Sequence, residues 1–249
     1  MSRFLKILLV FLLLSCDKDS GSDCFQTSGS VIQHEVSTTS FKKILVNRDV
    51  ELIVKEGAEF EVIIETGENL INDVDVIVVD NELQLSDNNS CNYVRDYGIT
   101  KVFVTAPDLT SIRSSTQYEI SSNGVLNYQE LSLISEDYSA PGSFTVGDFR
   151  IQINSDKLQI VSNNISCFYI SGQVKNLFVG FYSGAGIFHG EELISQNVNV
   201  YHRGSNDMHV NPQESMTGEL LGTGDLISHN NPPVIDIEEL YTGELIFQN

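Results

Sequence analysis

LLGTGDLI at residues 220–227 returns as ELYTGELI at residues 239–246, nineteen residues further along the chain. In both copies a turn-forming stretch with glycine precedes an acidic residue and two apolar residues. A repeat of fixed length indicates a stack of similar units, because one short unit cannot bury its apolar side chains alone. The stretch therefore predicts a solenoid whose coils are about nineteen residues long.

The same period runs back through the carboxyl-terminal half of the chain. One apolar set recurs at spacings of 19, 21, 18 and 19: Leu158, Leu177, Val198, Met216 and Ile235. A second set recurs at spacings of 20, 18 and 19: Phe188, Met208, Leu226 and Leu245. We expect each set to form a column inside the stack. Parallel strand connections favour right-handed winding, so the prediction is a right-handed parallel β-helix-like solenoid. An antiparallel sandwich, which also has short strands at regular intervals, is the alternative.

The amino-terminal part of this domain has a different pattern. Between residues 41 and 107 apolar and polar residues alternate, as they do in half-buried strands. Two hairpins are predicted here, one around Gly57 in KEGAE and one around Asp80-Asn81. SEDYSAPGS at residues 135–143 interrupts the period and predicts an insertion or extra strands. The fold prediction is therefore all-β, with a hairpin-rich amino-terminal portion before the solenoid.

The first sixteen residues, MSRFLKILLVFLLLSC, have the layout of a secretory signal. Their apolar run is shorter than the ~20 residues that a membrane span needs. The ending LLSC resembles the lipobox of bacterial lipoproteins, in which the signal is removed and lipid is attached to the cysteine; an ordinary secretory signal is the alternative. We expect a signal peptide at 1–15, lipidated Cys16 with a polar tether at 16–23, and one domain at 24–249.

The charge balance and the amino-terminal targeting sequence limit which partners are possible. The 34 acidic residues against 14 basic ones argue against nucleic acid, whose phosphates need a basic surface. We expect the membrane to be reached through the lipid on Cys16 alone, since stable anchoring needs two or more acyl chains rather than surface charge. The expected location is the outer membrane of a Gram-negative cell envelope, facing either the periplasm or the cell surface.

Several stretches resemble the bacterial family of putative auto-transporter adhesins with a head GIN domain. They are FKKILVNRDVELIVKEG (41–57), GENLINDVDVIVVDNELQL (67–85), CNYVRDYGITKVFVTAPDLTSI (91–112), and the turns SGAG and GTGDL. The resemblance spans roughly residues 24–249. It implies an exported or lipid-anchored β-helix-like protein acting in adhesion. The later turns NNISC, RGSND and YTGEL depart from the family's Ser-Gly-Ser-Gly-Asp pattern, so no ligand-binding residue is carried over.

The cysteines, histidines and turn carboxylates are the candidate site residues. With Cys16 lipidated, we expect a disulfide between Cys24 and Cys91, the alternative being two unpaired thiols, and a small core residue at Cys167. His189 and His209 would face outward on adjacent coils, where they form either a solvated ladder or two ligands of a metal, although zinc prefers three or four. The carboxylates at equivalent turn positions either hold their own backbone or bind calcium: Asp207, Asp225 and Glu244. No cofactor is expected.

Three function classes stay open at this point. The first is a non-catalytic surface-recognition protein with a glycan or protein ligand, which exposed tyrosines would contact. These are Tyr97, Tyr118, Tyr128, Tyr138, Tyr182, Tyr201 and Tyr241. The second is a β-helix enzyme that acts on polysaccharides with paired carboxylates. The third is a passive envelope scaffold. No motif of a nucleophile, a phosphate-binding loop or a metal centre supports the enzyme.

Overall fold

The computed structural model describes residues 23–89, 91–96 and 98–248, and it is almost entirely β-structure. Two single-turn 3₁₀ helices, Asp23–Phe25 and Ile71–Asp73, accompany the strands. The strands are β1 Val31–Val36, β2 Lys43–Val46, β3 Glu51–Glu56, β4 Glu61–Gly67, β5 Val74–Val79, β6 Glu82–Asp87, β7 Lys101–Ala106, β8 Ser111–Ser114, β9 Ile120–Leu126, β10 Glu130–Ser135, β11 Phe149–Ser162, β12 Phe168–Phe181, β13 Phe188–His202, β14 Met208–Leu220, β15 Leu226–Ser228, β16 Val234–Glu239 and β17 Leu245–Phe247. Together they form one 17-stranded sheet that folds back on itself and is nearly closed.

The sheet has two faces, which enclose the apolar core between them. The first face runs β5–β6–β2–β8–β10, then through the second halves of β11 to β14, and ends at β16. The second face runs β1–β4–β7–β3–β9, then through the first halves of β11 to β14, and ends at β15 and β17. Strands β11 to β14 belong to both faces, so each layer of the stack, here called a rung, passes from one face to the other.

The predicted apolar columns are confirmed. On the first face, Leu158 pairs with Leu177, Leu177 with Val198, Val198 with Met216, and Met216 with Ile235. On the second face, the column Phe188, Met208, Leu226 and Leu245 also includes Phe149 and Phe168. All these pairings are parallel, which excludes the antiparallel sandwich for this half of the chain. Phe149 and Phe168 stack with their ring centroids 4.9 Å apart, so the column is continuous packing rather than mere alignment.

The amino-terminal portion is not separate from the stack. Strands β2 and β3 pair in parallel with β8 and β9, so Ile44 and Leu52 continue the same core as Ile112 and Ile120. The hairpin predicted around Gly57 is wrong, because β7 lies between β3 and β4. Val104 of β7 pairs with β3 on one side, in parallel, and with β4 on the other, antiparallel. The connection through Gly57 therefore crosses two strand spacings, about 10 Å, which a few extended residues span.

The hairpin predicted around Asp80-Asn81 is confirmed. Strands β5 and β6 pair antiparallel with Val79 opposite Glu82, which leaves Asp80 and Asn81 as a two-residue turn. Their φ angles are +49° and +65°, the left-handed values that a type I′ turn needs at both central positions. Asp and Asn tolerate this conformation better than other residues with a side chain. Strand β6 continues into the stack by pairing with β2.

The turn carboxylates link neighbouring rungs. An Asp207 oxygen accepts a hydrogen bond from the Asp225 backbone N–H at 3.0 Å, and an Asp225 oxygen accepts one from the Glu244 N–H at 2.9 Å. Asp148 does the same for the Cys167 N–H at 2.8 Å. Asp148, Asp207 and Asp225 thus each satisfy a backbone donor, as the backbone-holding alternative predicted for Asp207 and Asp225, but the donor belongs to the next turn rather than to their own.

The two ends of the stack differ. A disulfide between Cys24 and Cys91 fastens the entering segment to the β6–β7 connection, and β4 and then β1 extend the sheet beyond β7. At the other end, the last rung pairs with only one rung among the described residues, and six of its large apolar side chains are exposed: Val234, Ile235, Leu240, Tyr241, Ile246 and Phe247. Within residues 23–89, 91–96 and 98–248, no helix has the length and apolar character needed to cross a membrane. The predicted signal peptide at 1–15, Cys16 and the tether up to residue 22 lie outside the described residues.

Candidate functional site

An open groove with tyrosine rings in its walls lies on the first face, where the chain turns from that face to the second. Its volume is about 730 Å³, and we call it the aromatic groove. It is lined by Glu136, Tyr138, Ser139, Gln159, Val161, Asn163, Tyr182, Ser183 and Arg203. These residues come from three successive rungs and from the insertion between β10 and β11, so distant parts of the chain meet only in the stack.

The alignment of residues on neighbouring rungs positions the strand residues that line the groove. Val161, Gly180 and Tyr201 are aligned on neighbouring strands. A Cβ atom at Gly180 would lie 2.8 Å from a Phe178 ring carbon and 2.9 Å from a Tyr182 ring carbon. The absence of a side chain at Gly180 therefore lets the two rings lie close over the strand. The Tyr182 and Tyr201 rings are 4.9 Å apart between centroids.

The insertion at residues 136–148 supplies the near wall, and a buried ion pair holds it in place. Arg113 Nη1 donates to Glu136 Oε1 at 2.8 Å and to the Glu136 carbonyl at 3.1 Å. Its Nη2 donates to Ser139 Oγ at 3.2 Å, while the Ser139 N–H donates to Glu136 Oε2 at 2.9 Å. Burial alone would raise the pKa of Glu136, but these bonds from Ser139 and Arg113 outweigh it and lower the pKa to about 2. Glu136 is therefore an ionised, structural carboxylate.

The upper parts of the walls are exposed tyrosine. Tyr138, near the start of the insertion, is 91% exposed, and Tyr182 is 45% exposed. Tyr182 follows β12 directly and is held by a bond from its backbone N–H to the Ser162 carbonyl at 2.9 Å. Tyrosine combines a large flat apolar surface with a polar tip and has little rotamer freedom to lose on binding. The groove can thus contact a ligand face on a backbone that the rungs already hold rigid.

Arg203 closes the end of the groove one rung beyond Tyr182. Its backbone N–H bonds to the Phe181 carbonyl at 2.8 Å, the same link that holds Tyr182 one rung earlier. Its side chain is exposed. Among the described residues, the Arg203 guanidinium has no hydrogen-bond or ion-pair partner. The groove therefore combines aromatic surface with one free positive charge.

The predicted histidine pair lies on the second face as part of a longer stacked column. His189 and His209 face each other with ring centroids 5.6 Å apart and an 11° interplanar angle. Tyr169 stacks on His189 at 4.6 Å, and the Arg150 guanidinium lies 4.3 Å from the Tyr169 centroid. His229 extends the column: His209 Nδ1 and His229 Nε2 are 3.1 Å apart.

The column is built for stacking rather than for metal binding. Imidazole lone pairs lie in the ring plane, so the stacked His189 and His209 rings do not direct them at one shared point. In the part of the chain that the structure describes, no three His, Cys, Asp or Glu side chains are arranged to hold a metal ion. Burial lowers the pKa of His209, against the opposing effect of Glu191. The smaller groove beside the column, of about 340 Å³, holds Glu191 and Glu192.

The remaining predicted residues lie elsewhere. Cys24 and Cys91 form the disulfide at the amino-terminal end, and Cys167 is a half-buried free thiol in the turn before β12. Of the tyrosines expected at the surface, Tyr128 is instead buried, because its hydroxyl donates to the Ala106 carbonyl at 3.0 Å inside the core. Tyr241 is exposed on the last rung, away from the groove, and Tyr97 is outside the described residues.

The sequence named Tyr138, Tyr182 and Tyr201 but did not bring them together. It missed Arg203, Glu136 and Gly180 altogether. The available signal was the interruption of the nineteen-residue period after Leu133, because an insertion at a turn of a solenoid builds a wall on its surface. The second signal was the repeat itself, which places Tyr182 and Arg203 on successive turns.

Comparison with solved structures shows the same fold in other bacterial proteins. A putative adhesin from Bacteroides fragilis has 19% sequence identity and a TM-score of 0.79, over 90% of this chain and 100% of its own. A putative lipid binding protein from Parabacteroides distasonis has 11% identity and a TM-score of 0.62, over 89% and 98%. A putative adhesin from Parabacteroides merdae has 13% identity and a TM-score of 0.58, over 89% and 97%. No protein of curated function is significantly similar in sequence.

The family comparison covers most of the stack. Residues 40–232 match the family described as putative auto-transporter adhesin, head GIN domain, which agrees with the resemblance found in the sequence. The match extends from just before β2 to the connection that follows β15, so it includes the aromatic groove and leaves out β1 and the last rung. This chain therefore belongs to the head GIN domain family of putative auto-transporter adhesins.

Proposed function

We propose that this protein is a non-catalytic, adhesin-like surface protein that recognises its ligand in the aromatic groove, with a saccharide as the first candidate. One observation carries the proposal: two exposed tyrosines, Tyr138 and Tyr182, both line a groove of about 730 Å³. A saccharide presents an apolar C–H face that packs on an aromatic ring and hydroxyl groups that hydrogen bond with a polar rim. Gln159, Asn163 and Ser183 supply such a rim.

The groove suits recognition because its backbone is fixed before a ligand arrives. Its far wall stands on strands bonded to neighbours on both sides, and its near wall is held by the Arg113–Glu136 pair. A preformed site loses less conformational entropy on binding than a flexible one. A repeating scaffold also offers neighbouring rungs for an extended ligand, as solenoid surfaces do in other proteins.

The test is binding of the purified protein to a glycan array and to a peptide library, with groove variants beside it. We expect Tyr182→Ala and Tyr138→Ala each to weaken binding by about tenfold or more, since buried aromatic anchors dominate interfaces. Tyr241→Ala is the matched control, because Tyr241 is 65% exposed but lies on the last rung. Equal binding by all four proteins would remove the groove from recognition, and no ligand in either library would favour a passive scaffold.

A polysaccharide-acting enzyme is the weaker candidate. Hydrolysis needs a carboxylic acid that carries a proton near neutral pH beside a second carboxylate. In the groove, Glu136 has a pKa of about 2 and both of its oxygens accept hydrogen bonds, so it does not serve as that acid. Turnover of uronic-acid polysaccharides by the purified protein would nevertheless replace recognition with catalysis as the function.

We further propose that the stack is a right-handed parallel β-helix. The support is its parallel pairing at steps of 18 to 21 residues, together with the right-handed preference of such connections. We also propose that lipid on Cys16 anchors the protein at the outer membrane, with a polar tether before the stapled end of the stack. Cys16→Ser should abolish labelling with radioactive palmitate and release the protein from the membrane fraction. Persisting label would refute the anchor without touching the groove.

A further inference from the structure

The charged side chains that line the aromatic groove differ in whether they are paired within the protein. Glu136 is bound by Arg113 and Ser139, so its carboxylate is neutralised within the wall. The Ser139 hydroxyl donates to the same carboxylate. Arg203 is the exception, because among the described residues its guanidinium has no partner although it lines the groove. An unpaired guanidinium in a groove that also has an exposed aromatic ring favours a ligand that carries an anionic group, because complementary charges give specificity.

We propose that the aromatic groove binds an acidic saccharide, with the sugar face on Tyr182 and the sugar carboxylate on Arg203. This inference rests on the function proposed above and names its ligand class. The guanidinium is a planar fork that matches a carboxylate with two parallel hydrogen bonds, so it selects uronic-acid or sialic-acid residues over neutral hexoses. A lysine at this position would supply charge without that geometry.

The rung spacing fits one sugar residue. Tyr182 and Arg203 occupy equivalent positions on successive rungs, since the backbone N–H of each bonds to the preceding rung in the same way. Neighbouring strands are about 4.8 Å apart, which is close to the width of a pyranose ring. A sugar that packs on Tyr182 therefore brings a substituent within reach of the next rung, where Arg203 lies.

The net charge of −20 does not prevent this binding. At physiological ionic strength exposed charges further apart than about 8 Å are largely screened, so the groove's own charges decide. Besides Glu136, the insertion carries the acidic side chain of Asp137, whose Oδ1 accepts a hydrogen bond from the groove residue Asn163 at 2.7 Å. Asp137 is exposed and, through this contact with Asn163, lies close enough to the groove to repel an anion. It therefore supplies an opposite-sign control for Arg203.

The experiment compares acidic saccharides with their neutral counterparts. The probes are oligogalacturonates and sialylated oligosaccharides, each beside the same compound with its carboxyl groups reduced to alcohols. We expect the full-length wild type to bind an acidic member about tenfold more tightly than its reduced form at 0.15 M salt, a typical difference for a charge-assisted hydrogen bond. Raising the salt should weaken the acidic probe and leave the reduced one unchanged.

The variants separate charge from aromatic contact. Arg203→Gln should abolish the preference for the acidic probe and keep affinity for the reduced one. Asp137→Asn should strengthen acidic binding severalfold. Tyr182→Ala should weaken both probes alike. Equal affinity of the wild type for both forms would overturn the inference and leave the adhesin function standing. If no saccharide of either kind binds, the inference also falls; Tyr182-dependent peptide binding would then keep the recognition function alone.

Discussion

At the residue scale, His202 is the group that makes the stack sensitive to mild acid. It is fully buried, its Nδ1 accepts from the Gly204 backbone N–H at 3.3 Å, and its Nε2 has no partner among the described residues. Burial lowers the pKa of His202 despite the opposing effects of the Asn206 backbone and, more weakly, of Asp207 and Asp225. Because the folded pKa lies below the unfolded one, protonation favours unfolding.

We expect the free energy of unfolding to be at its full value above about pH 6.5 and to fall as the pH drops towards 5, by at most about 1.4 kcal/mol per pH unit from this group. His202→Phe keeps a ring of similar size and should flatten that slope. Urea titrations between pH 7.5 and 5 measure it. This window avoids Glu136, whose lowered pKa holds its own contribution above about pH 4.5 and loses it only towards pH 2.

The control for this measurement is His34→Phe, because His34 is exposed on β1. His209, whose pKa burial also lowers, should keep a residual slope in the His202→Phe variant. An unchanged slope in His202→Phe, with the His34 control behaving the same way, would mean that His202 is not the buried neutral base described here.

At the element scale, the turn carboxylates stabilise the stack through backbone bonds between rungs. The Asp225 backbone N–H donates to an Asp207 carboxylate oxygen one rung earlier, and an Asp225 carboxylate oxygen accepts from the Glu244 N–H one rung later, at 2.9 Å. Asp225→Asn keeps a carbonyl oxygen in the same place, so we expect little change in stability. Asp225→Ala removes the acceptor of the Glu244 N–H, which is exposed and can bond to water instead, so the free energy of unfolding should fall by about 0.5–1.5 kcal/mol.

Calcium provides the discriminating measurement for the same carboxylates. A calcium site would raise the melting temperature of the wild type when the ion is added, and Asp225→Asn would abolish that increase. We expect millimolar calcium to leave both proteins unchanged, because the Asp207 and Asp225 carboxylates already accept bonds from the backbone. A wild-type increase that Asp225→Asn removes would contradict the structural role.

The conformation of a turn was predictable from the local sequence, but the strand that pairs with a given strand edge was not. Asp80-Asn81 specifies a type I′ turn within four residues, and strands β5 and β6 pair as predicted. KEGAE carries the same kind of signal, yet β7 inserts between β3 and β4 from about forty residues later. Nothing near Gly57 encodes that event. It depends on Val102 and Val104, whose inward alternation completes the layer.

At the scale of the whole molecule, the period of the sequence repeat was more informative about the fold than any sequence motif. The first column follows from the spacing of Leu177, Val198 and Met216 alone, because stacked rungs must align their apolar residues. The groove needed more than the period, since Glu136 and Arg113 meet across 23 residues through an insertion whose path no spacing predicts. Tyr182 and Arg203 were findable from the repeat, but their exposure depends on Gly180 and on the insertion wall.

The stack should open from its uncovered end. Each rung is stabilised mainly by the rungs on either side, and among the described strands β16 and β17 have a neighbouring rung on one side only. Their apolar side chains also remain partly in water, with Leu240 54% and Tyr241 65% exposed. The amino-terminal end is covered by β1, β4 and β5 and closed by the Cys24–Cys91 disulfide, which spans 67 residues. We therefore expect backbone amides of β16 and β17 to exchange hydrogen first, and those of β11 to β13 last.

Hydrogen exchange with mass spectrometry, on oxidised and reduced protein, measures this directly. Removing the disulfide lengthens the unfolded chain's free loop, at a cost of about 2–4 kcal/mol in stability, so reduction should speed exchange in β1 and around Cys91. Exchange in β16 and β17 should not change, because they lie at the opposite end of a stack coupled only through neighbours. The Cys167→Ser variant is the control for thiol effects unrelated to the disulfide. Uniform acceleration along the whole chain would instead show one cooperative unit, in which the two ends have no independent stability.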